Sequence, residues 1–197
     1  MKKDPNSAGT EADVAASTKL SVQIWRDTST TARMINRIEW TRRQIEDFQK
    51  MLKAGKAPAA DIDAAKDIEK KARAVEDDLL QPTLAEADVK SFRGPLKLYL
   101  SLLWLQAEVG PGAEDVSGNA DLAPTQPERD VYELLAGRLA ETIKKYDELY
   151  EKAIPAFNEA MRAKGYVQLM TVTEPEEPRA DEKKDAGDDE SSDDDAS

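Results

Sequence analysis

The 197-residue chain has no histidine and no cysteine. Without imidazole there is no Ser-His-Asp triad, no general base tuned near neutral pH and no His-anchored metal site. Without thiols there is no disulfide, zinc knuckle, iron–sulfur ligand or Cys nucleophile. Aromatics are sparse at 6%. Long apolar runs are also missing. The most apolar stretch, residues 96–109, falls short of the ~18 residues of a membrane span and carries Lys97, Gln106 and Glu108. The opening residues, Met1-Lys-Lys-Asp-Pro-Asn-Ser7, are followed by no apolar core, so no secretory signal is read.

Charge is abundant but unevenly placed. The net charge is −12. Residues 174–197 hold twelve acids and three bases, leaving 28 acids and 25 bases in residues 1–173. The body is therefore nearly balanced and the acidity belongs to a tail, which its composition predicts to be disordered. A balanced body without a basic patch argues against nucleic-acid binding.

The body reads as all-α. Residues 1–10 form a polar entry segment. From Glu11 to Leu52 no Gly or Pro interrupts the chain, and Leu20, Ile24, Met34, Ile38, Ile45, Phe48 and Leu52 recur at helical spacing. A helix of that length spans roughly 63 Å. The run Thr28-Ser29-Thr30-Thr31 is its expected weak point, since small hydroxyl residues lower helix propensity. Gly55 and Pro58 mark a turn, and Asp61 is placed to cap a second helix or sit in its first turn. There Ile62, Ala65, Ile68, Ala72, Val75 and Leu79 form the cleanest seam in the chain, ended by Pro82. Gly94-Pro95 opens a third helix that is apolar on nearly every side, from Leu96 to Leu105. Such a helix is expected at the centre of an assembly. A fourth helix starts at Thr125-Gln-Pro-Glu128, a capping box. Pro155 is expected to kink it or split off a last segment, and Gly165 is a natural residue just past its end. Residues 166–173 form a short extended strip that either docks on the helices or stays coil. Short and moderate loops between four helices, two long and two shorter, predict an antiparallel up-down bundle over residues 11–165.

Candidate chemistry is thin. The loop 115–121 alternates oxygen side chains like a calcium loop, but the places that need Gly and Glu hold Ala120 and Gln126. It reads as a polar loop before the next helix. Glu39 and Glu46 share a helix face, yet Arg37, Arg42 and Arg43 around them point to surface ion pairing rather than a carboxylate pair for hydrolysis. No cofactor-binding, metal-binding or catalytic residue is assigned. Trp25, Trp40 and Trp104 are the candidate interface residues. Trp104, inside the apolar helix, is expected in the core, and Trp40, beside Glu39 and Arg42, at an edge or a domain interface.

The ordered series Asp4-Pro-Asn-Ser-Ala-Gly-Thr-Glu-Ala-Asp13, Trp25-Arg-Asp27, Met34-Ile-Asn-Arg-Ile-Glu-Trp40, Ala120-Asp-Leu-Ala-Pro-Thr125 and Ile154-Pro-Ala-Phe-Asn158 with Arg162 resembles a known region. It is similar to the C-terminal helical part of large bacterial proteins with BNR-repeat, sortilin-like β-propellers, often labelled glycosyl hydrolases. The resemblance covers about residues 4–166. It implies a non-catalytic accessory module whose partner is a β-propeller or β-sandwich region of a parent or neighbouring protein, in a family whose full-length members are exported. The Asp-box turn and the acids of that family are absent here, so no functional residue carries over. Met1 then falls near the end of a preceding sandwich, as in a fragment or split gene product. The other reading is a free-standing bundle that self-associates as a homo-oligomer or binds a partner helix, motivated by the apolar third helix.

Overall fold

The structure, a computed structural model, describes residues 8–81, 96–113 and 116–171. Helix α1 spans Glu11–Ala54, α2 Ala59–Leu79, α3 Leu98–Val109, α4 Gln126–Glu148 and α5 Ile154–Ala163. A π-turn, Leu149–Ala153, joins the last two into one rod. The all-α class and the four helices read from the sequence are present. The one extended pairing among the described residues is a two-residue hairpin, with β1 (Gly112–Ala113) antiparallel to β2 (Val116–Ser117). Gly118 follows β2, and a Cβ there would lie 2.1 Å from the Gly110 carbonyl oxygen.

Helix α1 begins at a capping box that the sequence reading does not identify, its Thr10 falling in the entry segment there. The Thr10 hydroxyl accepts from the Asp13 N–H, and the Asp13 carboxylate accepts from the Thr10 N–H at 2.8 Å. The helix runs unbroken through the expected weak point. Thr28 and Thr31 donate to the carbonyls of Ile24 and Asp27, both at 2.8 Å. Their hydroxyls are therefore satisfied inside α1, and both side chains fit the buried stripe.

Long-range polar contacts fix the helix directions. Gln49 meets Glu69 and Arg42 meets Glu76, so α2 runs antiparallel to the C-terminal half of α1. Ser17 donates to the Val109 carbonyl and Gln106 donates to Ser21, so α3 runs antiparallel to the N-terminal half. Tyr132 donates to Asp27, Arg37 donates to Tyr146, and Phe48 packs edge-on against Phe157 at 5.7 Å. The α4–α5 rod therefore runs parallel to α1. The cross-section is three rods, with α2 and α3 in tandem sharing one direction, rather than strict up-down alternation.

That arrangement corrects the expected place of α3. Only Leu98, Leu102, Leu105 and Val109 are buried, whereas Leu103 and Trp104 are exposed. With two neighbouring rods, a helix covers one face, however apolar the rest of it is. The core is the shared inner stripe, centred on Ile24, Ile38, Ile45, Leu52, Leu79, Leu102 and Ile154.

The split expected at Pro155 takes the form of the π-turn. Pro155 has no N–H, and in an α-helix its ring would press on the carbonyl four residues back. Widening the preceding turn relieves this, and Ile154 N–H donates to the Leu149 carbonyl five residues back. Gly165 adopts φ +79°, the conformation a helix-ending residue needs. The expected first-turn role of Pro95, the stop at Pro82, Asp115 of the polar loop, and the acidic tail lie outside the described residues.

Candidate functional site

Polar chemistry concentrates in three places. The first is the α1–α2 seam, where Glu39, Glu46 and Glu76 share a shallow cleft of about 360 Å³ with Arg42, Arg43 and Arg73. Arg42 and Glu76 pair at 2.5 Å, with side chains 17% and 4% exposed. Arg43 lies 4.0 Å from Glu39 on the surface, as read from the sequence. Burial pushes the Glu76 carboxyl above its ordinary range, against the opposing pull of Arg42. Three guanidinium groups face three carboxylates, so the cleft is charge-matched. Among the described residues, no cluster of three or more acids has the geometry of a metal site.

The second is the meeting of α1 with the α4–α5 rod. Arg37 lies 4.0 Å over the Tyr150 ring and 5.9 Å from the Tyr146 ring centroid, and it donates to the Tyr146 hydroxyl at 3.2 Å. Tyr150 and Thr41 share a buried hydrogen bond of 2.9 Å. Burial pushes the Tyr150 phenol up to about 12. The strip after α5 docks here: the Thr171 carbonyl accepts from Arg37 at 2.6 Å. Nearby, Asp61 is a buried first-turn acid of α2, contacted by Lys164 and by the Tyr166 hydroxyl. It ties the turn after α5 to the start of α2. The sequence reading placed Asp61 at a helix start but missed its partners, 103 and 105 residues away.

The third is a cleft of about 550 Å³ between α2 and the π-turn. Its floor is Ala74, Val75, Leu149, Ala153 and Ala156, small or aliphatic residues that leave the two rods apart. Lys71, Lys145 and Lys152 rim it. Lys71 and Lys145 are paired to Asp67 and Asp78.

The three candidate tryptophans are not gathered together. Trp25 is 62% exposed on α1 and Trp104 is 53% exposed on α3, contrary to its expected burial. Both sit at the end of the bundle where α3 covers the N-terminal half of α1. Val22, Leu96 and Leu103 add exposed apolar surface there. Trp40 is half-buried and 15 residues farther along α1, roughly 22 Å at the helical rise. Comparison with protein-family models, with curated proteins and with solved structures gives no significant match.

Proposed function

We propose that the chain is a non-catalytic helical accessory module that docks on a β-rich body, of the kind it would meet in a BNR-repeat, sortilin-like propeller protein. The observation that carries this reading is the exposure of Val22 and Trp25 on α1 and of Leu96, Leu103 and Trp104 in and beside α3, the helix that packs on the same half of α1. Tryptophan at 53–62% exposure among leucines leaves apolar area in water, and such concentrations mark interaction surfaces. Tryptophan is also the side chain most often found to dominate interface energetics. The ordered resemblance along the body supports the choice of partner. Of the acids of the α1–α2 cleft, Glu76 pairs with Arg42 and Glu39 lies 4.0 Å from Arg43, which suits a structural role better than proton transfer.

The test is sedimentation velocity on the purified chain at micromolar concentration, alone and mixed with a purified BNR-repeat propeller–sandwich protein. A monomer that joins the propeller protein, and loses that binding in Trp25→Ala/Trp104→Ala, is the expected result. A dimer of the chain alone, broken by the same pair of substitutions, assigns the face to self-association and overturns the accessory reading.

A further inference from the structure

The strip after α5 is held in an unusual way. Past Gly165 the chain turns back and runs in the seam between α1 and α5, opposite in direction to α1. Tyr166 packs edge-on to Phe48, Met170 meets Gln44 and Thr171 meets Arg37. Leu169 N–H donates to Asn158 Oδ1 at 2.8 Å, and the Leu169 carbonyl accepts from Asn158 Nδ2 at 2.9 Å. Met170 N–H donates to Gln44 Oε1 at 2.8 Å, and the Met170 carbonyl accepts from Gln44 Nε2 at 3.1 Å. In extended chain the N–H and C=O of one residue face one side and those of the next residue face the other. Two side-chain amides, one on each wall, thus supply what two flanking strands would supply.

Every one of these bonds, and the one from Arg37, goes to main chain. Leu169 is buried at 5% exposure and Tyr166 is half-buried against Phe48, while Val167 and Met170 are 61% and 59% exposed. Arg37 holds the far end unevenly. Nη2 donates to the Thr171 carbonyl, but Nε, on the same edge of the guanidinium, is buried with no partner among the described residues. That edge presents two parallel N–H groups and is matched by the two oxygens of a carboxylate, not by one carbonyl.

We propose that this seam is a binding groove for the C-terminus of an extended peptide, with an aliphatic residue in the Leu169 position and its free carboxylate, two residues later, on the Nε–Nη2 edge of Arg37. Residues 166–171 fill the groove in cis, imperfectly, because an internal peptide carbonyl stands where the carboxylate belongs. Main-chain bonds do not distinguish one chain from another, and the anchor position asks only for an aliphatic side chain. The cis strip leaves α5 through Gly165, where an added Cβ would meet nothing within 4 Å, and Lys164 and Tyr166 on either side bond to Asp61. This groove lies on a different seam from the tryptophan-bearing end, and its test does not depend on that surface.

The probe is the synthetic peptide Tyr-Val-Gln-Leu-Met-Thr, labelled at its N-terminus, prepared with a free carboxylate and as the C-terminal amide. Fluorescence anisotropy reads its binding to the full chain, to Leu169→Asp and to Met170→Pro. The second variant removes only an exposed side chain and one N–H donor, and it serves if the first fails to fold. The carboxylate peptide is expected to bind the strip variants at least tenfold more tightly than the wild type, and tenfold more tightly than the amide does. Adding Arg37→Met to a strip variant erases the carboxylate preference, and adding Asn158→Ala abolishes binding. A folded strip variant that gives no saturable binding, binds the two peptide forms alike, or ignores Asn158→Ala overturns the proposal. So does a wild-type dimer that Asn158→Ala dissociates, which would place the strip of a second copy in the groove.

Discussion

The Arg42–Glu76 pair tests how the α1–α2 seam is held. Glu76 is 4% exposed and Arg42 17%, so both charges have left water. Arg42 Nε is also buried without a partner among the described residues, so the guanidinium does not recover all of its hydration there. Burial raises the Glu76 pKa from its ordinary 4.5 despite the adjacent cation, so desolvation outweighs attraction at that carboxyl. A buried pair of this kind is costly to break and cheap to replace as a unit. Arg42→Met strands the more buried charge and is expected to cost about 4 kcal/mol, and Glu76→Leu strands the better-hydrated one and costs about 3 kcal/mol. The double substitution, which packs two apolar side chains in the seam, is expected within about 1 kcal/mol of wild type. Urea unfolding followed by far-UV circular dichroism gives all three values, and the coupling energy is then about −6 to −8 kcal/mol.

The pH dependence supplies an independent check. Because the folded pKa of Glu76 is raised, the folded chain keeps this proton longer than the unfolded chain does. The contribution of Glu76 to stability therefore falls as pH rises from about 4.5 through its folded pKa, and recovers on acidification. Wild type minus double mutant should show that slope while other carboxylates cancel. If the double substitution costs as much as the two single ones together, the two side chains are uncoupled and the reasoning fails.

Three further outcomes follow from the same geometry. Thr125→Ala removes the hydroxyl that accepts from the Glu128 N–H and should cost about 1 kcal/mol in urea unfolding, with Thr125→Ser close to wild type. Leu102→Ala, at a fully buried position of α3, should cost 2–5 kcal/mol, whereas Trp104→Ala on the same helix should stay within about 0.5 kcal/mol; equal costs would place Trp104 in the core after all. Tyr132 and Tyr150 are each pushed up to about 12, chiefly by burial, so the folded chain retains their protons above the ordinary value of 10. Their contribution to stability is then lost as pH rises from 10 to 12, and absorbance at a tyrosinate band should stay below that of the unfolded chain across that window.

The readings that held rest on short-range pattern. The three-and-four spacing of α2, the Thr125–Glu128 box, the disruption at Pro155 and the left-handed Gly165 each depend on residues within about one or two turns. Such signals are complete in the local sequence, because helix periodicity, capping and the missing proline N–H act over that range. The run Thr28–Thr31 misled for the same reason. Hydroxyl residues count against a helix in propensity, but in a buried stripe they bond back to their own carbonyls and fit between larger neighbours.

The sequence by itself determined which segments are helices, and that the chain's excess negative charge belongs to its last residues. Tertiary structure decided that α3 lies outside the centre with Trp104 facing solvent, that Asp61 and Glu76 are buried, and that Gln44 and Asn158 bracket a main chain. Those outcomes turn on how many rods surround each helix and on partners up to 134 residues apart. Hydrophobic spacing specifies which stripe of a helix seeks cover, but the number of neighbours available to cover it is fixed only when the rods assemble.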